Sequence, residues 1–269
     1  MLQSAIGDMN LERFLPMLSK LDQDEAISTI PPLDRHHQMF YWIFRNMDFT
    51  QWDSAKCSQV LWLCGPPECN LHQVASHILS QEKNKALERC NLILYFFFSA
   101  AIKERSNVNA FLHTLLKQIV CYPPLDKGIL IIRSFLYRLL KETFKDEATP
   151  TWKQRGFNKE ESPDENVQKI LHAPANEFLT ALGTVLRDEE QRGLLVVLDG
   201  LDKVEDQRGE FIVAVRAFVE RLQKRTSMVK ILLTSRPLTE IKDIFNGLPC
   251  IEYDRERKGP SVLYVLTFN

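Results

Sequence analysis

The chain has 269 residues, 45% of them hydrophobic, which is enough for one large domain or two small ones with a sizeable buried core and excludes a disordered or fibrous chain. Its 34 basic and 35 acidic residues nearly cancel, so no global field draws it toward nucleic acid or an anionic membrane, and any polyanion site must be local. The longest apolar stretch, Leu92 to Ile102, is about half of what a bilayer span needs. The N-terminus carries Asp8 and Glu12 without a basic start. A soluble, cytoplasmic protein with no membrane or nucleic-acid partner is therefore expected. Six cysteines are scattered without a C-x-x-C pair, several inside apolar runs, which points to reduced core thiols rather than a disulfide frame.

Residues 1–33 form a lead-in with Leu11, Phe14, Leu15 and Leu18 at helical spacing, followed by Ile30-Pro31-Pro32. The main domain is expected over residues 34–255. It opens on a helix capped by Asp34, with an aromatic-rich body through Phe40, Trp42, Ile43, Phe44 and Met47. Beyond Trp52 the pattern changes to short, nearly continuous apolar runs separated by helical segments. The runs are Val60 to Cys64, Leu92 to Phe98, Leu194 to Leu198, Ile231 to Leu233, and Cys250-Ile251. Apolar at every position, they suit strands of a parallel sheet covered on both faces. The helices between them each show one apolar stripe: Leu71, Val74, Ala75, Ile78; then Phe111, Leu112, Leu115, Ile119; then Phe178, Leu182, Val185; then Phe211, Val215, Phe218, Leu222. Ile129 to Phe144 reads as an additional helix, residues 146–168 as a long exposed loop, and residues 256–269 as a divergent tail.

In open parallel sheets ligands bind at the carboxyl ends of the strands, and three such places stand out. The first is Gly65-Pro66-Pro67-Glu68-Cys69-Asn70-Leu71-His72, between a strand and a helix. A phosphate loop, G-x-x-x-x-G-K-[ST], occupies that location, because backbone N–H groups and a helix N-terminus cradle phosphates there. Only its first glycine survives: Asn70 stands for the second glycine, Leu71 for the lysine and His72 for the hydroxyl that holds Mg²⁺. The second is an apolar strand ending in Asp199, with Asp202 three residues on. In that arrangement the first carboxylate holds Mg²⁺ and the second polarises a water, or both merely begin a loop and cap the next helix. The third is the strand Ile231-Leu232-Leu233-Thr234-Ser235-Arg236, whose arginine reaches a γ-phosphate or pairs with a surface carboxylate. Cys69, His72 and His77 do not complete a zinc set.

Together the segments "VLWLCGPP", "LILYFFFSA" leading to "AFLHTLLKQIV", "LLVVLDGLDKV" and "KILLTSRP", with the aromatic residues near Trp42 and Trp52, resemble the NACHT branch of the STAND signalling NTPases. The likeness is greatest to the nephrocystin-like N-terminal modules of fungal multidomain proteins and covers residues 42–253. It implies a three-layer α/β fold of P-loop NTPase type, with the Val60 strand beside the Ile231 strand and the Leu194 strand beyond it. It also implies a site that brings Gly65, Asp199 and Arg236 around ATP or GTP with Mg²⁺. The family's G-x-P-G-S-G-K-[ST] is lost at Asn70, Leu71 and His72, and Lys203 stands where an acid follows the second aspartate. A charge-assisted hydrogen bond is worth roughly 1.5–3 kcal/mol, so losing the lysine alone weakens phosphate binding about 10- to 150-fold. The expected function is a signalling and interaction module with a degenerate nucleotide site, protein partners, no required cofactor, and at most a nucleotide-linked oligomer. The competing readings are an active Mg²⁺-dependent NTPase in which Lys203 or another basic residue replaces the missing lysine in space, with Asp199 and Asp202 catalytic, and a pure protein-binding scaffold. The backbone cradle and Asp199 are expected to remain, with the defect confined to three side chains, so Asn70→Gly, Leu71→Lys and His72→Ser together are expected to raise nucleotide binding at least tenfold.

Overall fold

The computed structural model describes residues 21–33, 43–89, 92–121, 171–188, 193–225, 227–254 and 259–262, with residues 18 and 40 and those from 130 to 138 other than 133 and 137. The stretch read as an exposed loop, 146–168, and most of the lead-in helix lie outside the described residues. In chain order the elements are α1 (Gln23–Ser28), α2 (Met47–Ser54), β1 (Gln59–Cys64), α3 (Leu71–Arg89), β2 (Leu92–Phe97), α4 (Lys103–Ser106), α5 (Val108–Val120), α6 (Ala175–Asp188), β3 (Leu194–Asp199), α7 (Arg208–Gln223), β4 (Val229–Ser235), α8 (Thr239–Ile244), β5 (Cys250–Asp254) and β6 (Gly259–Val262). The described residues between 130 and 138 are helical, within the span where an additional helix is expected.

The strands form one sheet in the order β2-β3-β4-β1-β5-β6. The five apolar runs are mutually parallel, with β1 beside β4 and β3 beyond it, in the order the resemblance implies. Within the stretch read as a tail, β6 adds an antiparallel edge strand to β5. Alternation along each strand divides the core. Val60, Trp62 and Cys64 of β1 join a cluster with α5, α6 and α7, while Leu61 and Leu63 face α2 and α3. β3 and β4 are buried at every position, which is why their sequences are apolar without alternation up to the polar residues at their ends. The result is a three-layer α/β fold.

Two local features depart from the sequence reading. The aromatic helix does not run through to Met47: the Asn46 side chain accepts from the N–H groups of Asp48 and Phe49 at 2.8 and 3.4 Å and starts α2 afresh. Phe40 and Ile43 lie buried before the break and Phe49 and Trp52 after it, while Met47, first residue of α2, is 73% exposed. At the sheet edge, β2 is closed by side chains in place of a neighbouring strand. The Gln118 amide accepts from Tyr95 N–H and donates to Tyr95 C=O, both at 2.9 Å, and Gln23 Oε1 accepts from Phe97 N–H at 2.9 Å. Asp24, Lys83 and the Tyr95 hydroxyl form a further polar cluster that pins α1 to this edge.

Candidate functional site

The order β3-β4-β1 puts the three candidate loops side by side at the carboxyl ends of adjacent strands. They are tied together by backbone. Gly65 N–H donates to Ser235 C=O at 3.2 Å, and Gly200 N–H donates to Thr234 C=O at 3.1 Å and to its hydroxyl at 2.9 Å. Gly65 is required by close approach: a Cβ there would stand 3.0 Å from Cys69 Sγ and 3.2 Å from Tyr253 Cβ.

After Gly65 the loop makes a 3-10 turn, Pro67–Cys69, and Asn70 takes the left-handed conformation with φ 47° and ψ 44° before α3 begins. Asn70 thus reproduces the backbone shape of the glycine it replaces, which asparagine tolerates better than most residues. The amides do not follow. Cys69 N–H donates to Pro66 C=O at 3.0 Å and Asn70 N–H to Pro67 C=O at 3.2 Å, while Pro66 and Pro67 have no N–H. A phosphate cradle needs inward-turned, unused N–H groups, and here two of the loop's amides are taken by its own turn and two positions have none, so the departure is not confined to side chains. Leu71, at the lysine position, is 8% exposed and packs in the core with Val74, Ala75 and Ile78.

Asp199 ends β3 buried, 2% exposed, and accepts a 2.6 Å hydrogen bond from the Thr234 hydroxyl. Burial pushes its carboxyl pKa up; the Lys203 ammonium, the Thr234 hydrogen bond and His72 oppose that shift. Lys203 folds back over Gly200, whose φ is 75°, so tightly that a Cβ there would lie 2.9 Å from Lys203 Cδ and 3.1 Å from its Nζ. His72 is half-buried at the same spot: burial pushes its imidazole pKa down, with Asp199 opposing and Lys203 reinforcing. Arg105, just after β2, donates from Nε to Phe97 C=O at 2.9 Å. Phe97 pairs in register with Asp199; burial pushes the Arg105 guanidinium pKa down, and the Asp199 charge opposes that only in part.

Asp202 is 3% exposed, and both its oxygens are occupied by one residue: Oδ1 accepts from Arg236 N–H at 2.9 Å and Oδ2 from Arg236 Nε at 2.6 Å. This carboxylate does not cap α7, whose N-cap Gln207 makes no side-chain bond. It holds the half-exposed Arg236 guanidinium at the mouth of the site.

Gly65, Asn70, His72, Asp199, Asp202 and Arg236 therefore share one end of the sheet, whereas Leu71 turns into the core. Sequence reasoning missed Thr234 and Arg105; Thr234 could have been found as a polar residue facing Asp199 from the neighbouring strand, but nothing local marks Arg105. The residues present do not fit a Mg²⁺ ion. One carboxylate accepts from a hydroxyl and lies in the field of the Lys203 ammonium, the other is held by an arginine, and an imidazole stands where a hydroxyl ligand is needed. Among the described residues no group of three or more His, Cys, Asp or Glu is placed to hold a metal, and no helix is long and apolar enough to cross a membrane.

No curated protein and no solved structure matches the chain. The family model described as nephrocystin 3, N-terminal, matches residues 38–236, from the segment before the aromatic residues to the arginine that Asp202 holds. On that match, which takes in β1 to β4 with the loops just described, the chain belongs to the nephrocystin 3 N-terminal family.

Proposed function

We propose that this protein is a signalling and interaction module of NACHT (STAND) type, whose nucleotide site survives as architecture and has lost most or all of its affinity for ATP and GTP. The observation that carries this reading is the loop after β1, where two amides are consumed by the loop's own turn and two positions are prolines. The second support is electrostatic. Lys203 lies beside Asp199, so the carboxylate that would attract Mg²⁺ has an intramolecular cation at hand. The module then works by presenting its α/β domain to protein partners, without a nucleotide cycle driving it and with no cofactor required.

One observation favours the active reading: Arg105, Lys203 and Arg236 bring three cationic groups to the ends of β2, β3 and β4, a set able to meet a phosphate without the missing lysine. Calorimetric titration of the whole chain with ATP and with GTP, each with and without Mg²⁺, decides between the two. The degenerate reading expects no heat of binding at micromolar ligand. Micromolar binding that requires Mg²⁺ would establish the NTPase reading instead.

A further inference from the structure

Directly beneath the loop, two thiols face each other. Cys64 is the last residue of β1, immediately before Gly65, and Cys250 is the first of β5; their Sγ atoms lie 3.6 Å apart. The register explains the meeting. Cys250 pairs with Trp62 on the adjacent strand, and Cys64 is two residues further along β1, so all three side chains project from the same face. The remaining described cysteines are placed differently: Cys57 and Cys121 are exposed, and Cys69 belongs to the core on the opposite face of the sheet.

We propose that Cys64 and Cys250 are a latent disulfide pair, closed by hydrogen peroxide, whose bond ties the strand that delivers Gly65 to β5. Cys250 is the first target, because it is 9% exposed and Cys64 is fully buried. The Cys250 sulfur attacks peroxide, forming Cys250–SOH and releasing one water. The Cys64 sulfur then attacks the sulfenic sulfur, its proton leaves with the hydroxyl as a second water, and the S–S bond forms. The two sulfurs together lose two electrons and peroxide gains two. The sulfurs need to close by about 1.5 Å to reach disulfide length. Because the residues are offset by two positions along their strands, that closure draws the start of β5 along β1. The opposite end of β5 already abuts the loop through Tyr253, so the strain is passed to Gly65.

The reaction is slow in the native fold. The hydrogen bond to Cys250 and burial both hold the Cys64 thiol in its protonated form, so peroxide acts when the end of β5 opens. The nearby Lys242–Glu252 ion pair adds an ammonium and a carboxylate of opposing effect.

The test uses the whole folded chain. After exposure to hydrogen peroxide and quenching, the protein is unfolded in N-ethylmaleimide and digested with trypsin. Cys57, Cys64 and Cys69 fall on one fragment between Lys56 and Lys83, and Cys250 on the fragment from Asp243 to Arg255, so fragmentation spectra must locate the link. The expected result is loss of maleimide labelling at both Cys64 and Cys250, with a linked peptide joining those two sulfurs that dithiothreitol abolishes. Cys250→Ser should leave Cys64 labelled, and the parent measurement stands whether or not that variant folds. Full labelling of both cysteines, a link from Cys250 to any other cysteine, or a link formed only when the protein is oxidised in denaturant would overturn the proposal.

Discussion

At Asp199 two demands conflict. A carboxylate at a strand end is useful to a ligand only if charged, yet complete burial disfavours the charge, and the Thr234 hydroxyl and Lys203 ammonium offset that cost only in part, since the pKa remains raised. The sign of the stability effect follows. The folded carboxyl keeps its proton to higher pH than the unfolded one, whose ordinary value is 3.8. Over that window the unfolded state binds fewer protons, so this residue makes stability fall as pH rises, and the loss persists above the folded pKa. Asp199→Asn keeps an acceptor for the Thr234 hydroxyl and removes the charge. It is expected to match the parent at acid pH below the carboxylate range and to be more stable than the parent at neutral pH. Thermal unfolding of both proteins across that range checks this, and an Asn variant less stable at neutral pH would show that the Lys203 attraction outweighs burial.

Among the elements, the loop after β1 turns two of its amides onto its own backbone, and the edge strand β2 uses side chains where a neighbouring strand would otherwise pair. If the turn's amides are truly spent, Asn70→Gly, Leu71→Lys and His72→Ser together leave phosphate affinity within about threefold of the parent, a difference below 1 kcal/mol. A tenfold gain, measured calorimetrically, would mean the 3-10 turn opens readily and that the defect was confined to three side chains after all. On β2, Gln118→Ala removes both bonds to Tyr95 and exposes an edge N–H and C=O beside the core. We expect a loss of about 1–3 kcal/mol in urea unfolding at unchanged slope, with Gln118→Glu, which keeps the acceptor alone, falling between. The same elements show what the sequence could tell. β1 to β5 were readable because strands buried on both faces are apolar throughout, and the helical stripes because each faces one side of the sheet. The break at Asn46 was hidden by apolar residues on both sides of it. The turn after Gly65 was hidden because a residue pattern records side chains, whereas the turn lies in where the amides of Cys69 and Asn70 are bonded. The Gln118 clamp spans helix and strand, and no local pattern announces it.

On the scale of the whole molecule, the crossover order β3-β4-β1 gathers Gly65, Asp199 and Arg236 from three distant parts of the chain to one edge of the sheet, the place where this architecture binds ligands. The same order delivers the groups that close the site: Arg236 arrives already held by Asp202, Thr234 arrives donating to Asp199, and Lys203 folds in beside it. Phosphoryl transfer is catalysed almost entirely by positioning and by neutralising developing charge, and on the degenerate reading proposed above Asp199 has no metal to serve. Asp199→Ala is therefore expected to leave ATP turnover indistinguishable from that of the parent. An active NTPase makes the opposite demand, since there the metal-holding carboxylate is the residue least able to be spared. Phosphate release assayed on both proteins, with circular dichroism to establish that each is folded, separates the two. Hydrolysis in the parent that disappears with Asp199 would sink the degenerate reading and leave Lys203, Arg105 and Arg236 as the groups that replaced the lost lysine.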